Sequence, residues 1–117
     1  MANNNDVVII NLDRPRELRF GHKALKTLCS MLGISFENLE NVANNPGPEV
    51  IEKIMYCGLL SDARKNSETL TLEQMEDLLD YASSYKEIIE KMTQAFMAAF
   101  GENEEKNNQG TVTNPKK

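Results

Sequence analysis

The spacing of apolar residues shifts along this chain, and each spacing predicts an element. Val7-Val8-Ile9-Ile10-Asn11-Leu12 is a short β-branched run, too short for a helix and suited to a strand. Asp13-Arg14-Pro15-Arg16 follows as a turn, because the fixed φ of proline suits a corner. Glu17-Leu18-Arg19-Phe20 then alternates polar and apolar, which places Leu18 and Phe20 on one face. The two strands predict a β-hairpin with a loop of about four residues. An isolated hairpin is marginal in water, so this one must rest on helices. The expected support is the Leu25-Leu28-Leu32 face that follows.

That face arises from a change to helical spacing. Leu25, Leu28, Cys29 and Leu32 fall at i, i+3, i+4 and i+7, predicting a helix over 21–32 with Gly33 as its stop. Ser35 is placed to cap a short helix through about Val42, with Phe36, Leu39 and Val42 stepping by three. Asn44-Asn45-Pro46-Gly47-Pro48 breaks the chain. A third helix starts near Pro48, where proline is tolerated in the first turn, and is expected to end around Leu60.

The last periodic segment is the longest. Thr71 and Gln74 have capping-box spacing, and Glu73, Glu76 and Asp77 set negative charge against the positive end of the helix dipole. Met75, Leu78, Ala82, Tyr85, Ile89, Met92, Phe96 and Ala99 then alternate gaps of three and four, a heptad series. One helix over 72–100 would be on the order of 43 Å long, against a diameter of roughly 35 Å for a domain of this size. It must bend, with Ser83-Ser84 the expected place, or project past the globule. A projecting end leaves an apolar stripe, and Met75, Leu78, Tyr85, Ile89, Met92, Phe96 and Phe100 are the candidate partner-binding residues. Either a second copy of the chain, giving a homo-oligomer, or a partner helix would cover it; the alternative is that helices one and three fold back over the whole stripe.

Composition removes whole classes of function. The 117 residues are 40% hydrophobic and 26% charged, ordinary for a globular domain. No window approaches the roughly 20 apolar residues that span a bilayer, and the first residues lack a secretory pattern, so no membrane partner is expected. The net charge of -5 opposes nucleic-acid binding, which draws on a basic field. Charge is also uneven: five basic residues and three acids lie between Asp6 and Lys26, and ten acids face two lysines between Glu68 and Glu105. Cys29 and Cys57 sit in apolar runs without a CxxC or a neighbouring histidine, and read as buried structural thiols. His22, the one histidine, reads as a helix-start residue. With no Walker A, GxGxxG, HExxH or GxSxG motif, the sequence predicts no catalytic residue, cofactor or metal, and a protein that is not an enzyme.

The stretch Ile9-Ile10-Asn11-Leu12-Asp13 through Arg16-Glu17-Leu18-Arg19-Phe20-Gly21-His22-Lys23-Ala24-Leu25-Lys26-Thr27-Leu28 resembles the opening of tail assembly chaperones of long-tailed (siphovirus-type) bacteriophages. The resemblance is clearest over residues 7–40 and architectural thereafter. It implies a non-structural protein of the host bacterial cytoplasm that binds the long helical tape measure protein, keeps it soluble and supports tail tube assembly. It also implies a longer frameshifted product able to recruit tail tube protein. Six methionines suit an adaptable binding surface. The alternatives are a small helix-turn-helix transcriptional regulator, whose recognition segment over 72–81 would be unusually acidic, and a non-enzymatic adaptor.

The fold expected from these patterns is mainly α (α+β), with an N-terminal β-hairpin packed on a bundle of about four helices and a long C-terminal helix. The expected organisation is a flexible N-terminus over 1–6, one helical domain over 7–101 and a disordered tail over 102–117. The tail has Val112 as its one branched apolar residue, too little burial to offset the entropy of ordering it. A chain ending at Gly101 is therefore expected to unfold thermally with unchanged cooperativity; a broadened transition would show that the tail contributes to the fold.

Overall fold

The computed structural model describes residues 8–101; the expectations for residues 1–7 and 102–117 lie outside it. Strands β1 (Val8–Asn11) and β2 (Pro15–Leu18) pair antiparallel, with Val8 opposite Leu18 and Ile10 opposite Arg16. The β-branched run thus forms the first strand as its composition dictates. The turn is tighter than the sequence predicts, because Pro15 lies inside β2 instead of at the corner. Proline lacks an N–H to give to a ladder, so its place at the first residue of this outer strand loses nothing. Alternation puts Val8, Ile10, Arg16 and Leu18 on the buried face and Ile9 outside.

Helix α1 (His22–Leu32) starts after Gly21 and stops at Gly33, whose φ of 68° is the left-handed conformation that glycine adopts without cost. Its N–H closes the helix by donating to the Cys29 carbonyl at 2.8 Å. A 3₁₀ turn over Phe36–Asn38 leads into α2 (Leu39–Asn44), a single short element in which Leu39 is the buried residue. Helix α3 (Pro48–Lys65) begins with proline in its first turn, as predicted, but runs five residues past Leu60. The extension has a packing reason: Asp62 and Ala63 are buried, so the polar-looking end of the helix still faces the protein.

The periodic segment over 72–100 is not one rod but breaks where Ser83-Ser84 was the expected bend. A 3₁₀ turn over Leu72–Gln74 enters α4 (Met75–Leu79), and α5 (Tyr85–Ala99) starts after a turn over 80–84. Ser84 ends the ambiguity: its hydroxyl accepts a hydrogen bond from the Glu87 N–H at 3.1 Å, an N-cap that starts a new helix. The Ser83 hydroxyl also bonds the Glu87 carboxylate. Fifteen residues of α5 make a rod of about 22 Å, which a domain of this size accommodates.

Helix α3 lies at the centre. Helix α1 packs on it, as do β2 and α4, while α5 covers β1. The hairpin therefore rests chiefly on α3 and α5 rather than on the α1 face that the sequence suggests. Gly58 explains the choice. A side chain there would begin 2.6 Å from Leu18 Cδ1 and 2.8 Å from Phe20 Cζ, so only a bare backbone admits β2 so closely. The Arg19 N–H uses that proximity and donates to the Gly58 carbonyl at 2.9 Å.

Gly58→Ala separates two opposing effects. In a free helix the change gains about 1 kcal/mol of propensity, whereas overpacking a filled site costs about 1–3 kcal/mol. We expect net destabilisation in urea unfolding; a stabilised variant would mean that the hairpin does not seat on α3.

Candidate partner-binding site

A concave surface of about 420 Å³ lies between α2 and α5. Helix α2 contributes Glu40, Ala43 and Asn44, and the loop after it contributes Pro46. Helix α5 contributes Ile89, Met92, Thr93, Phe96 and Met97, followed by Phe100 just past its last turn. Helical spacing dictates the α5 side: residues 89, 93, 97 and 100 form one stripe beside the core-facing row of 88, 92, 95 and 96.

A ladder of aromatic rings joins this groove to the core. Phe20, at the end of the hairpin, meets Phe96 edge to face with centroids 5.1 Å apart. Phe96 meets Phe100 at 5.0 Å, and Phe100 meets Phe36 at 5.5 Å. Such spacings are those of favourable aromatic pairs. Exposure rises along the ladder: Phe20 and Phe96 are buried, Phe100 is half-buried, and Phe36 is 57% exposed. A large apolar ring held at the surface by a second ring is a preformed contact point.

Of the seven candidate partner-binding residues, Met75, Leu78, Met92 and Phe96 belong to the hydrophobic core. Met92 and Phe96 also floor the groove, and Ile89 and Phe100 form its walls, half-exposed. Tyr85 stands apart, 54% exposed at the start of α5. The break over 80–84 thus divides the stripe: its α4 half is core, and its α5 half is groove. The opposing wall on α2 was not identified from sequence. Phe36, in the 3₁₀ turn before α2, is not among the lining residues and meets the groove only through its contact with Phe100.

A second concentration of polar chemistry ties the hairpin to the end of α3. Arg16 is 5% exposed, an unusual burial for a charge, and grips Asp13 through two bonds of 2.8 and 3.0 Å. It also donates to Glu68 at 3.0 Å. Arg14 donates to buried Asp62 at 2.7 Å and to both oxygens of Glu68 at 2.8 and 3.3 Å. Asp62 additionally accepts from the Glu17 N–H at 3.1 Å. Its groups hold one another, so the cluster reads as a clamp rather than a reaction centre. The hydrogen bond from Arg14 holds the Glu68 carboxyl below its ordinary range, and that from Arg16 does the same for Asp13.

Burial pushes the Cys57 thiol up to about 11, so it remains protonated and unreactive at neutral pH. Its sulfur lies 3.6 Å from that of Met31, a packing contact. Cys29 and Cys57 are both free thiols. Among the described residues, no His, Cys, Asp and Glu cluster could hold a metal ion, and no helix is long and apolar enough to cross a membrane. No protein-family model, characterised protein or solved structure matches this chain.

The clamp predicts an acid limb with a definite sign. Carboxyls depressed in the folded state contribute stability above their unfolded values and lose it as pH falls through the lower folded ones. Urea unfolding should therefore weaken below about pH 4, and Glu68→Gln should flatten that limb. An identical pH dependence in the variant would remove Glu68 from the account.

Proposed function

We propose that this protein is a non-enzymatic tail assembly chaperone of a long-tailed bacteriophage, acting in the cytoplasm of the host bacterium. It binds the tape measure protein, keeps it soluble and supports tail tube assembly. The observation that carries this reading is the aromatic-floored groove between α2 and α5. Its apolar α5 side, Ile89, Met97 and Phe100 over Met92 and Phe96, suits one face of a helix, the helix-in-groove mode. Its methionines suit a ligand whose side chains vary along its length, since a thioether chain repacks without strain. The resemblance of residues 9–28 to the opening of these chaperones supports the same reading.

The regulator alternative gains little from the fold. Helix α4, which would have to enter a major groove, has five residues and exposes Glu76 and Asp77. Carboxylates there repel the phosphate backbone.

Co-expression with the tape measure protein of the same phage tests the proposal. We expect the tape measure protein to move into the soluble fraction and co-purify, and Met97→Asp to abolish both effects. A tape measure protein that aggregates equally with and without this chain would refute the proposal. Binding of random duplex DNA with a steep salt slope would favour the regulator.

A further inference from the structure

The outer edges of the hairpin differ. Along β2 the outward donors are occupied or missing. Pro15 has no N–H to offer, and its carbonyl accepts from Arg14 Nη1 at 2.9 Å. The Glu17 N–H donates to the Asp62 carboxylate at 3.1 Å. The Arg19 N–H donates to the Gly58 carbonyl at 2.9 Å. Because Glu17 turns its N–H away from β1, the bonded pairs across the hairpin are Val8 with Leu18 and Ile10 with Arg16.

The same alternation turns the N–H and C=O of Ile9 and Asn11 outward along β1. No bond among the described residues reaches these groups. Ile9 is 46% exposed, and Asn11 is exposed as well. Helix α5 packs against both strands, so it lies beneath the sheet and leaves this edge clear. Exposed edges are ordinarily blunted by a charge, a proline or a bulge. The strand Val8–Asn11 has none of these, and its Val8, Ile9 and Ile10 are the β-branched residues that favour pairing.

We infer that the free edge of β1 pairs with the β1 edge of a second copy of this chain, joining the two hairpins into one antiparallel sheet. Ile9 of each copy exchanges both backbone bonds with Asn11 of the other. Ile10 then lies opposite Ile10 across the two-fold axis, and the core-facing rows of the two sheets become continuous. A second copy suits this edge because the axis sets the strand against itself, and a strand without charge meets no repulsion there. The net charge of -5 is carried elsewhere on the chain. Strand β2 forms both rims of the joined sheet, where Asp62 and Gly58 already occupy its donors, so pairing stops at two copies. None of the β1 residues lines the α2–α5 groove, so the two surfaces are independent.

Sedimentation velocity of the full chain over a concentration series, together with amide hydrogen exchange, tests this pairing. We expect a concentration-dependent dimer and nothing larger. Exchange of the Ile9 and Asn11 amides should slow as the dimer fills, while that of Ile10, already paired with Arg16, changes little. Ile9→Lys should weaken the dimer about tenfold or more, since a two-fold interface repeats the charge on both sides. Its thermal unfolding should stay cooperative, because the position is exposed. Ile9→Thr keeps an uncharged, β-branched strand and should dimerise as the wild type does. If Ile9→Lys does not fold, Asn11→Lys, also at an exposed position, takes its place with the same expectation. A chain that stays monomeric at millimolar concentration, or a dimer that the lysine variant leaves intact, would overturn the inference. So would a dimer lost in Met97→Asp, which places the interface in the groove. Protection of the Ile9 and Asn11 amides only after the tape measure protein is added would overturn it as well, and assign the edge to that partner.

Discussion

The missing side chain at position 58 governs this structure. Without it, Leu18 and Phe20 lie directly on the backbone of α3, and the Arg19 N–H reaches the Gly58 carbonyl. Phe20 is then fixed where Phe96 can meet its ring, and Phe96 in turn orients Phe100. The groove is the far end of this sequence of contacts. A helix-interior glycine costs about 0.5–1 kcal/mol relative to alanine, and here that cost is offset by closer burial of two large apolar side chains.

The hairpin needs a second attachment because its buried face is not wholly apolar. Arg16 sits opposite Ile10 on the core-facing row, and a guanidinium there is tolerable only with carboxylates around it. Asp13 comes from the same turn, and Glu68 comes from the loop after α3. Asp62 completes the arrangement by taking both Arg14 and the Glu17 N–H. One seam is therefore closed by shape at Gly58, and its neighbour by paired charge at Asp62, one turn further along α3. Shape alone would let the strand slide, and the directional bonds to Asp62 fix its position.

The fold class was legible in the sequence wherever a local signal decided the outcome. The β-branched run, the glycine after Leu32 and the proline at the start of α3 each act within a few residues, and each element formed where those signals put it. The break over 80–84 falls where Ser83-Ser84 suggested a bend, but the heptad did not show that it separates two helices, because two helices packed on one core can keep apolar gaps of three and four across a turn. Ser84 and Glu87, spaced as a cap and its partner, carried the contrary signal. The end of α3 was misjudged because Asp62 looks solvent-facing until Arg14 and Arg16, some 50 residues away in sequence, are brought to it. For the groove, the α5 wall was readable from helical period, whereas the α2 wall depends on tertiary packing that no local pattern encodes.

The pairing of Phe20 with Phe96 also sets the order in which the fold is completed during synthesis. The first strand is covered by the last helix, so the ends of the described chain are each other's packing partners. At about 5–20 residues per second, the ribosome needs on the order of 4–15 s to go from residue 20 to residue 96. Throughout that interval the hairpin can seat on α3 but lacks the cover that α5 supplies to β1. The nascent domain is thus held open until α5 emerges, and the groove forms only then.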